Sequence, residues 1–218
     1  MERKPLRTRF CYLIGLAGII GPALFLSIML ALDIVQSGSN PIVKTVSDLV
    51  HGSYGWLQNL AFILLAFWLF LFIFKLLFTT GRKFGSLAGA SSFGVTSFSL
   101  VLIVVFPSQL SGLGQTLPGL VHDSLAGLIS SSFIMGCIAF AFHFKRDPQW
   151  IRYWIYTTVT VVFCLAFALL WALIPSAWAL KGLAERLVLI TGLTWVAVIS
   201  LKMVRLCRQS REDGGIQL

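Results

Sequence analysis

Side chains capable of acid–base chemistry are scarce in this sequence. Its 218 residues include 8 Asp and Glu and 3 His. One acid and one histidine, Asp48 and His51, stand three positions apart in the stretch TVSDLVHG. A histidine near a carboxylate can act as a general base at neutral pH. The stretch is therefore either part of a polar site or the solvated face of a connector, and we expect His51 to be solvated.

Two further pairs of ionisable residues follow along the chain. His122 precedes Asp123, and Glu185 precedes Arg186. An arginine can hold a carboxylate or a phosphate through two parallel hydrogen bonds, so Arg186 can either grip a ligand or form a structural ion pair. Adjacent residues on a helix do not face each other, so the run HDS is not a catalytic triad by adjacency. Any acid–base pair must form between helices.

The composition indicates a membrane protein. Hydrophobic residues make up 57% of the chain, charged residues make up 11%, and the mean hydropathy is +0.88, whereas soluble domains carry about 25% charged residues. The apolar residues form blocks of about 20 residues, the length that crosses a hydrocarbon core. Segments in lipid must satisfy their backbone groups internally, and these blocks do not alternate as barrel strands do. The sequence predicts an all-α polytopic bundle of six transmembrane helices, at about residues 10–32, 55–78, 86–106, 122–143, 151–174 and 183–204.

Basic residues predict the orientation of this bundle. All but three of the 17 Lys and Arg lie on the side of both termini, and the three exceptions are Lys44, Lys181 and Arg186. The positive-inside rule therefore places both termini in the cytoplasm, with a basic tail at residues 205–218. We expect a single multi-pass domain in the cell (inner) membrane. Its net charge of +9 favours contact with anionic lipid headgroups at the cytoplasmic face, not nucleic acid.

The first outer loop contains a helical pattern of its own. Asn40 can cap a helix that begins at Pro41, and Gly52 can end it. Apolar residues recur at helical spacing between these positions, with polar residues on the opposite side. The pattern predicts a short amphipathic helix at about residues 41–51, lying along the outer interface.

Several short motifs occur in a fixed order along the chain. They are SDL at Ser47–Leu49, FP at Phe106–Pro107, His122 opening the fourth helix, and GLAERL at Gly182–Leu187 with Trp195 further on. In this order they resemble a family of six-helix prokaryotic membrane proteins known as domain of unknown function 998. The likeness spans most of the chain. The loop with SD also resembles, more loosely, the six-helix Frag1/DRAM/Sfk1 proteins.

The resemblance implies which polar residues matter but not what they do, because the family brings no activity with it. It points to Asp48, His122, Glu185 and Arg186. The acidic or asparagine residue that usually follows FP in the family is absent, since serine and glutamine come next here. Together with their polar neighbours, the candidate ligand-binding residues are Ser47, Asp48, His122, Asp123, Glu185 and Arg186.

Three functions fit these residues. The first is binding or handling of a lipid or small amphiphile at the outer face, anchored by Arg186 and oriented by Asp48 and His122. The second is an integral membrane hydrolase or transferase acting on a lipid-like substrate, with Asp48 and His122 as acid–base groups. The third is a structural or accessory subunit. We expect no cofactor and no metal, because the spacing of a metal site such as HxxxH is missing.

Overall fold

A computed structural model of the chain describes residues 4–36, 38, 40–109, 116–173 and 180–213, with side chains between residues 15 and 209 of these ranges. Every regular element in these ranges is helical. Six helices are long and apolar enough to cross a membrane, which confirms the prediction of six spans. They are α1 (Lys4–Val35), α2 (Gly55–Thr80), α3 (Phe84–Val105), α4 (Leu117–Lys145), α5 (Ile151–Leu173) and α6 (Lys181–Asp213), with one 3-10 helix at Ser47–His51.

The helix ends differ from the prediction by up to nine residues. Helix α4 begins five residues earlier than predicted, because Thr116 caps it: its hydroxyl accepts the Gly119 N–H at 3.3 Å, and a proline follows in the first turn. Helix α6 continues to Asp213 and so includes the start of the predicted basic tail. Hydropathy locates the apolar middle of each helix, whereas capping side chains fix its ends.

The six helices form a closed ring in chain order. Each helix packs against the next, and α6 returns to pack against α1. Small residues allow the closest approaches: a Cβ atom at Gly18 of α1 would lie 2.0 Å from Ser200 Oγ of α6, and one at Gly89 of α3 would lie 2.5 Å from the Phe140 ring of α4. Helix α5 is peripheral, with only three of its described residues buried.

Aromatic side chains fill one half of the ring interior. Trp195 is fully buried, and its ring centroid lies 6.0 Å from that of Phe72, 5.5 Å from Phe93 and 6.1 Å from Phe133. Its indole N–H donates to Thr157 Oγ1 at 3.0 Å, which ties α6 to α5. Such offset and edge-on aromatic contacts add to the stabilisation from burial alone. Aromatic side chains therefore fill this part of the interior.

The two ends of the ring differ. At one end lie the C-terminal ends of α1, α3 and α5 with the N-terminal ends of α2, α4 and α6, and at the other lie the opposite ends of the same helices. We call residues 40–52 of the α1–α2 connection the strap, the first end the strap end, and the second the terminal end.

The strap is less helical than predicted. Residues 41–43 form turns, and the only helix here is the five-residue 3-10 helix, not one helix over 41–51. A new helix start lies in the middle of the segment: the Thr45 N–H donates to Asp48 Oδ2 at 2.9 Å, and the Asp48 N–H donates to Thr45 Oγ1 at 3.3 Å. This reciprocal pair is a capping box, and it ends the preceding turns. Val46 and Leu49 are buried against the ring.

Candidate functional site

One arginine fastens the strap to two helices. Arg186, in the first turns of α6, donates from Nε to Asp33 Oδ2 at 3.0 Å and from Nη2 to Asp33 Oδ1 at 2.6 Å. Both side chains are buried. Nη1 lies 2.9 Å from the Pro41 carbonyl, 2.7 Å from the Lys44 carbonyl and 3.1 Å from the Gly182 carbonyl. The guanidinium thus stabilises the strap, and a phosphate could reach it only by displacing these oxygens.

Two further candidate residues, Glu185 and Asp48, lie where the strap contacts α6. Glu185 Oε2 accepts the Val46 N–H at 2.8 Å, and the Leu183 N–H donates to the Ile42 carbonyl at 3.0 Å. Asp48 caps the 3-10 helix through Thr45. The structure therefore brings Asp48, Glu185 and Arg186 to one region, where the contacts that these side chains make hold the chain itself.

The opposite edge of the strap binds the segment after α3. Ser108 Oγ donates to the carbonyl of the buried Ser47 at 3.2 Å. His51 is exposed, as expected, but its Nε2 also lies 2.9 Å from both the carbonyl and the Oγ of Ser108. Gln36, at the end of α1, donates to the Leu49 carbonyl at 3.0 Å. The strap therefore has hydrogen bonds to α6, to the segment after α3 and to the end of α1.

His122 lies inside the ring near the strap end. Its residue surface is 4% exposed, and Nδ1 donates to the Phe106 carbonyl at 2.7 Å. Nε2 is buried and has no hydrogen-bond partner in the part of the chain that the structure describes. Asp123, the next residue, is exposed on the other side of α4. The structure therefore separates these two predicted site residues.

Sequence reasoning missed a second buried polar side chain. Gln58 of α2 is 0% exposed, and neither its Oε1 nor its Nε2 has a partner among the described residues. It lies on the buried stripe of α2 that continues through Phe62 and Leu65. The sequence-based candidates were ionisable residues, and Gln58 is not ionisable. A single amide on an apolar helical stripe nevertheless indicates a buried polar group.

An apolar cleft lies deeper in the ring interior. Its enclosed space is about 70 Å³, it is open on one side, and five helices line it, for example through Pro22, Trp68, Leu100, Ile129 and Leu193. We call this space the interior cleft. The Trp68 Nε1 atom is buried there without a hydrogen-bond partner among the described residues. A cavity with this lining suits hydrocarbon and offers one indole donor.

The unpartnered polar groups lie between the strap and the cleft. Gln58 precedes the cleft residue Leu65 by seven positions on α2, and His122 precedes the cleft residue Ile129 by seven positions on α4. Seven residues span about 10 Å along a helix, so both side chains lie nearer the strap end. The interior is therefore polar near the strap and apolar below. No group of His, Cys, Asp and Glu among the described residues could hold a metal ion.

Comparison with known proteins gives the family. Residues 19–202 match the family described as Protein of unknown function (DUF998). The chain belongs to this family. No curated protein and no solved structure gives a significant match. The family resemblance inferred from the sequence is thus confirmed, and the protein is a six-span membrane protein of a family without an assigned function.

The short motifs that carry the sequence resemblance, except Trp195, lie around the strap. SDL forms the start of the 3-10 helix. The phenylalanine of FP supplies the carbonyl that orients His122, and the ER pair of GLAERL holds the strap backbone and Asp33. Trp195 lies apart, in the aromatic half of the interior. In this member, the motifs near the strap build the closed end of the ring.

Proposed function

We propose that the protein binds a lipid or small amphiphile inside its helix ring. The polar group of the ligand lies near Gln58 and His122, and its hydrocarbon part enters the interior cleft and continues through the open side of the cleft. The observation that carries this proposal is the pair of buried, unpartnered polar side chains between an apolar cleft and the strap. By the predicted topology, this ligand comes from the outer half of the membrane.

Unsatisfied buried polar groups are costly enough to require an explanation. Leaving one without a partner costs about 1–3 kcal/mol, and native proteins leave few such groups. Gln58 offers both a donor and an acceptor, and a neutral His122 offers an acceptor at Nε2 because Nδ1 carries the proton given to Phe106. A ligand hydroxyl can donate to His122 Nε2 and can accept from Gln58 Nε2, whereas an ester oxygen can only accept from Gln58.

The ligand head is expected to be uncharged. Gln58 carries no charge, and the N–H groups of Arg186 already bind Asp33 and three backbone carbonyls. Burial of a charged headgroup without a counter-ion would be strongly unfavourable. We therefore propose a glyceride or a long-chain alcohol, anchored by Gln58 and His122 in place of the anchor first predicted at Arg186.

Native mass spectrometry of the protein released from native-lipid nanodiscs tests this proposal. Wild type is expected to retain a neutral lipid, and the double variant Gln58→Leu/His122→Leu is expected to lose it at least tenfold. Ser124→Ala is the matched control, because Ser124 lies on the exposed side of α4 and its hydroxyl bonds only the Leu120 carbonyl. Equal retention by the double variant would overturn the proposal, as would wild type with only water in the cleft.

An enzymatic role is the second candidate. It is favoured by the orientation of His122: with Nδ1–H held by Phe106, the Nε2 lone pair is available inside the ring, as a general base requires. The candidate reaction is hydrolysis or transfer of a lipid ester. Turnover of ester lipids by wild type, abolished in His122→Asn while bound lipid persists, would favour it. Lipid binding without any turnover would contradict the enzymatic role and leave binding as the only supported function.

A further inference from the structure

A second cavity, a groove with an apolar lining and a basic rim, lies at the terminal end between the start of α3 and the end of α4. Its volume is about 360 Å³. Its residues come from the start of α3 and the end of α4, far from the strap. They are Lys83, Phe84, Gly85, Ala88, Ala139, Phe142, His143 and Arg146.

Small residues form the floor of this groove and aromatic rings form its walls. A Cβ atom at Gly85 would lie 3.3 Å from His143 Cβ, so the floor is already closely packed. Phe84 is 89% exposed and Phe142 is 64% exposed. Rings so exposed at the ends of membrane-spanning helices suit contact with acyl chains.

The rim of the groove is cationic. Lys83 and Arg146 are both exposed, so their charged ends are free to meet a ligand from the membrane surface. One acid lies close by: Asp147 Oδ2 is 4.0 Å from His143 Nε2. Two cations therefore face one anion, and Arg82 and Lys145 add positive charge next to the rim. The Lys145 ammonium itself lies over a tryptophan ring, 5.2 Å from the centroid of Trp154.

A buried and unpartnered nitrogen marks the inner end of the groove. His143 lines the groove and is 6% exposed. Its Nε2 has no hydrogen-bond partner among the described residues, since Asp147 lies beyond hydrogen-bonding distance. Because the other ring nitrogen bonds the Thr80 backbone, Nε2 is an acceptor that calls for a ligand donor such as a hydroxyl. The two cations nearby favour a ligand that also carries a negative charge.

We propose that this groove binds the headgroup of an anionic phospholipid. Lys83 and Arg146 hold its phosphate, a hydroxyl of the headgroup donates a hydrogen bond to His143 Nε2, and the acyl chains lie along Phe84 and Phe142. This site is independent of the ligand proposed for the interior cleft, because it lies at the other end of the ring and carries charge.

Lipid selectivity in nanodiscs tests the proposal. Wild type in mixed phosphatidylcholine and phosphatidylglycerol nanodiscs is expected to retain phosphatidylglycerol preferentially in native mass spectrometry. The double variant Lys83→Ala/Arg146→Ala is expected to lose about tenfold of this preference, since each basic residue contributes measurably to binding of an anionic headgroup. The matched control is Arg82→Ala/Lys145→Ala, which removes the same charge from adjacent positions outside the groove.

The outcomes separate the alternatives. Equal loss in the control would show that net charge alone attracts the lipid and would overturn the proposal. Displacement of phosphatidylglycerol by glycerol 3-phosphate alone would overturn it in favour of a soluble phosphate ligand. His143→Phe keeps the aromatic bulk and is expected to weaken retention of phosphatidylglycerol without changing retention of phosphatidylcholine. Gln58→Leu/His122→Leu is expected to leave this preference intact, so the two proposals fail separately.

Discussion

Arg186 and Asp33 form a bidentate ion pair that joins the last helix of the ring to the first. Their donor and acceptor atoms lie 3.0 Å and 2.6 Å apart, across 153 residues of sequence. The same guanidinium binds the backbone of the strap through two carbonyls. One side chain therefore contributes both to the contact between α1 and α6 and to the position of the strap.

Removal of Asp33 is expected to destabilise the protein. In Asp33→Ala, the buried guanidinium loses its counter-ion, and breaking a buried pair in this way costs about 3–5 kcal/mol. Thermal unfolding in detergent should show a clear fall in melting temperature. Asp123→Ala is the control, because Asp123 is exposed and its loss should have little effect. An Asp33→Ala protein of unchanged stability that has lost its lipid would return Arg186 to the role of ligand anchor.

Loss of the Ser108 hydroxyl is expected to loosen the strap. Ser108→Ala removes a hydrogen bond to the Ser47 carbonyl and one contact with His51. Hydrogen–deuterium exchange at residues 45–52 should accelerate, while global stability falls by only about 1 kcal/mol. Ser124→Ala should not change exchange in the strap. Unchanged exchange in Ser108→Ala would contradict this prediction and would mean that the contacts with α6 and Gln36 are sufficient to hold the strap.

Gln58→Leu is expected to stabilise the delipidated protein. The substitution replaces an unsatisfied buried amide by an apolar side chain of similar size, a gain of about 1–3 kcal/mol. With lipid present, the gain should shrink, because the ligand stabilises only the wild type. Melting temperatures measured with and without lipid check this, and Asn59→Leu on the neighbouring position is the control. The same gain in both conditions would contradict a ligand contact at Gln58.

A larger side chain at the cleft is expected to exclude the ligand. Leu100 lines the interior cleft, so Leu100→Phe fills part of it and should reduce bound lipid several-fold. Val101 is exposed on the next position of α3, and Val101→Phe should retain the lipid. Native mass spectrometry of the two variants compares them directly. Equal lipid content would place the bound molecule outside the cleft.

The six helices could be predicted because their signal is local. Runs of about 20 apolar residues identify membrane spans without knowledge of any partner. The strap was predicted less accurately than the six helices. The prediction rested on the helical spacing of its apolar residues and did not consider the hydrogen bonds between Thr45 and Asp48. Two hydrogen bonds between neighbours were enough to replace one helix by turns and a 3-10 helix.

The site was harder to predict because its meaning depends on distant contacts. The sequence around Arg186 is the same whether its side chain binds a ligand or Asp33. Only the fold brings Asp33 close to the guanidinium. The fold places Glu185 near the strap that contains Asp48, whereas Asp123 is exposed and His122 is buried. Gln58 was overlooked because charge, not burial, guided the choice of candidates.

The chain-order ring has a consequence for biogenesis. Helices α2 to α5 each find both of their neighbours close in sequence, whereas α1 and α6 meet only across the whole chain. During synthesis, α1 therefore keeps one flank open to lipid until the last helix inserts. The strap is synthesised early, but Glu185 and Arg186, which fasten it, are among the last residues to emerge. If the proposed ligand binds inside the ring, it can therefore enter from the lipid during that interval, before α6 packs against α1.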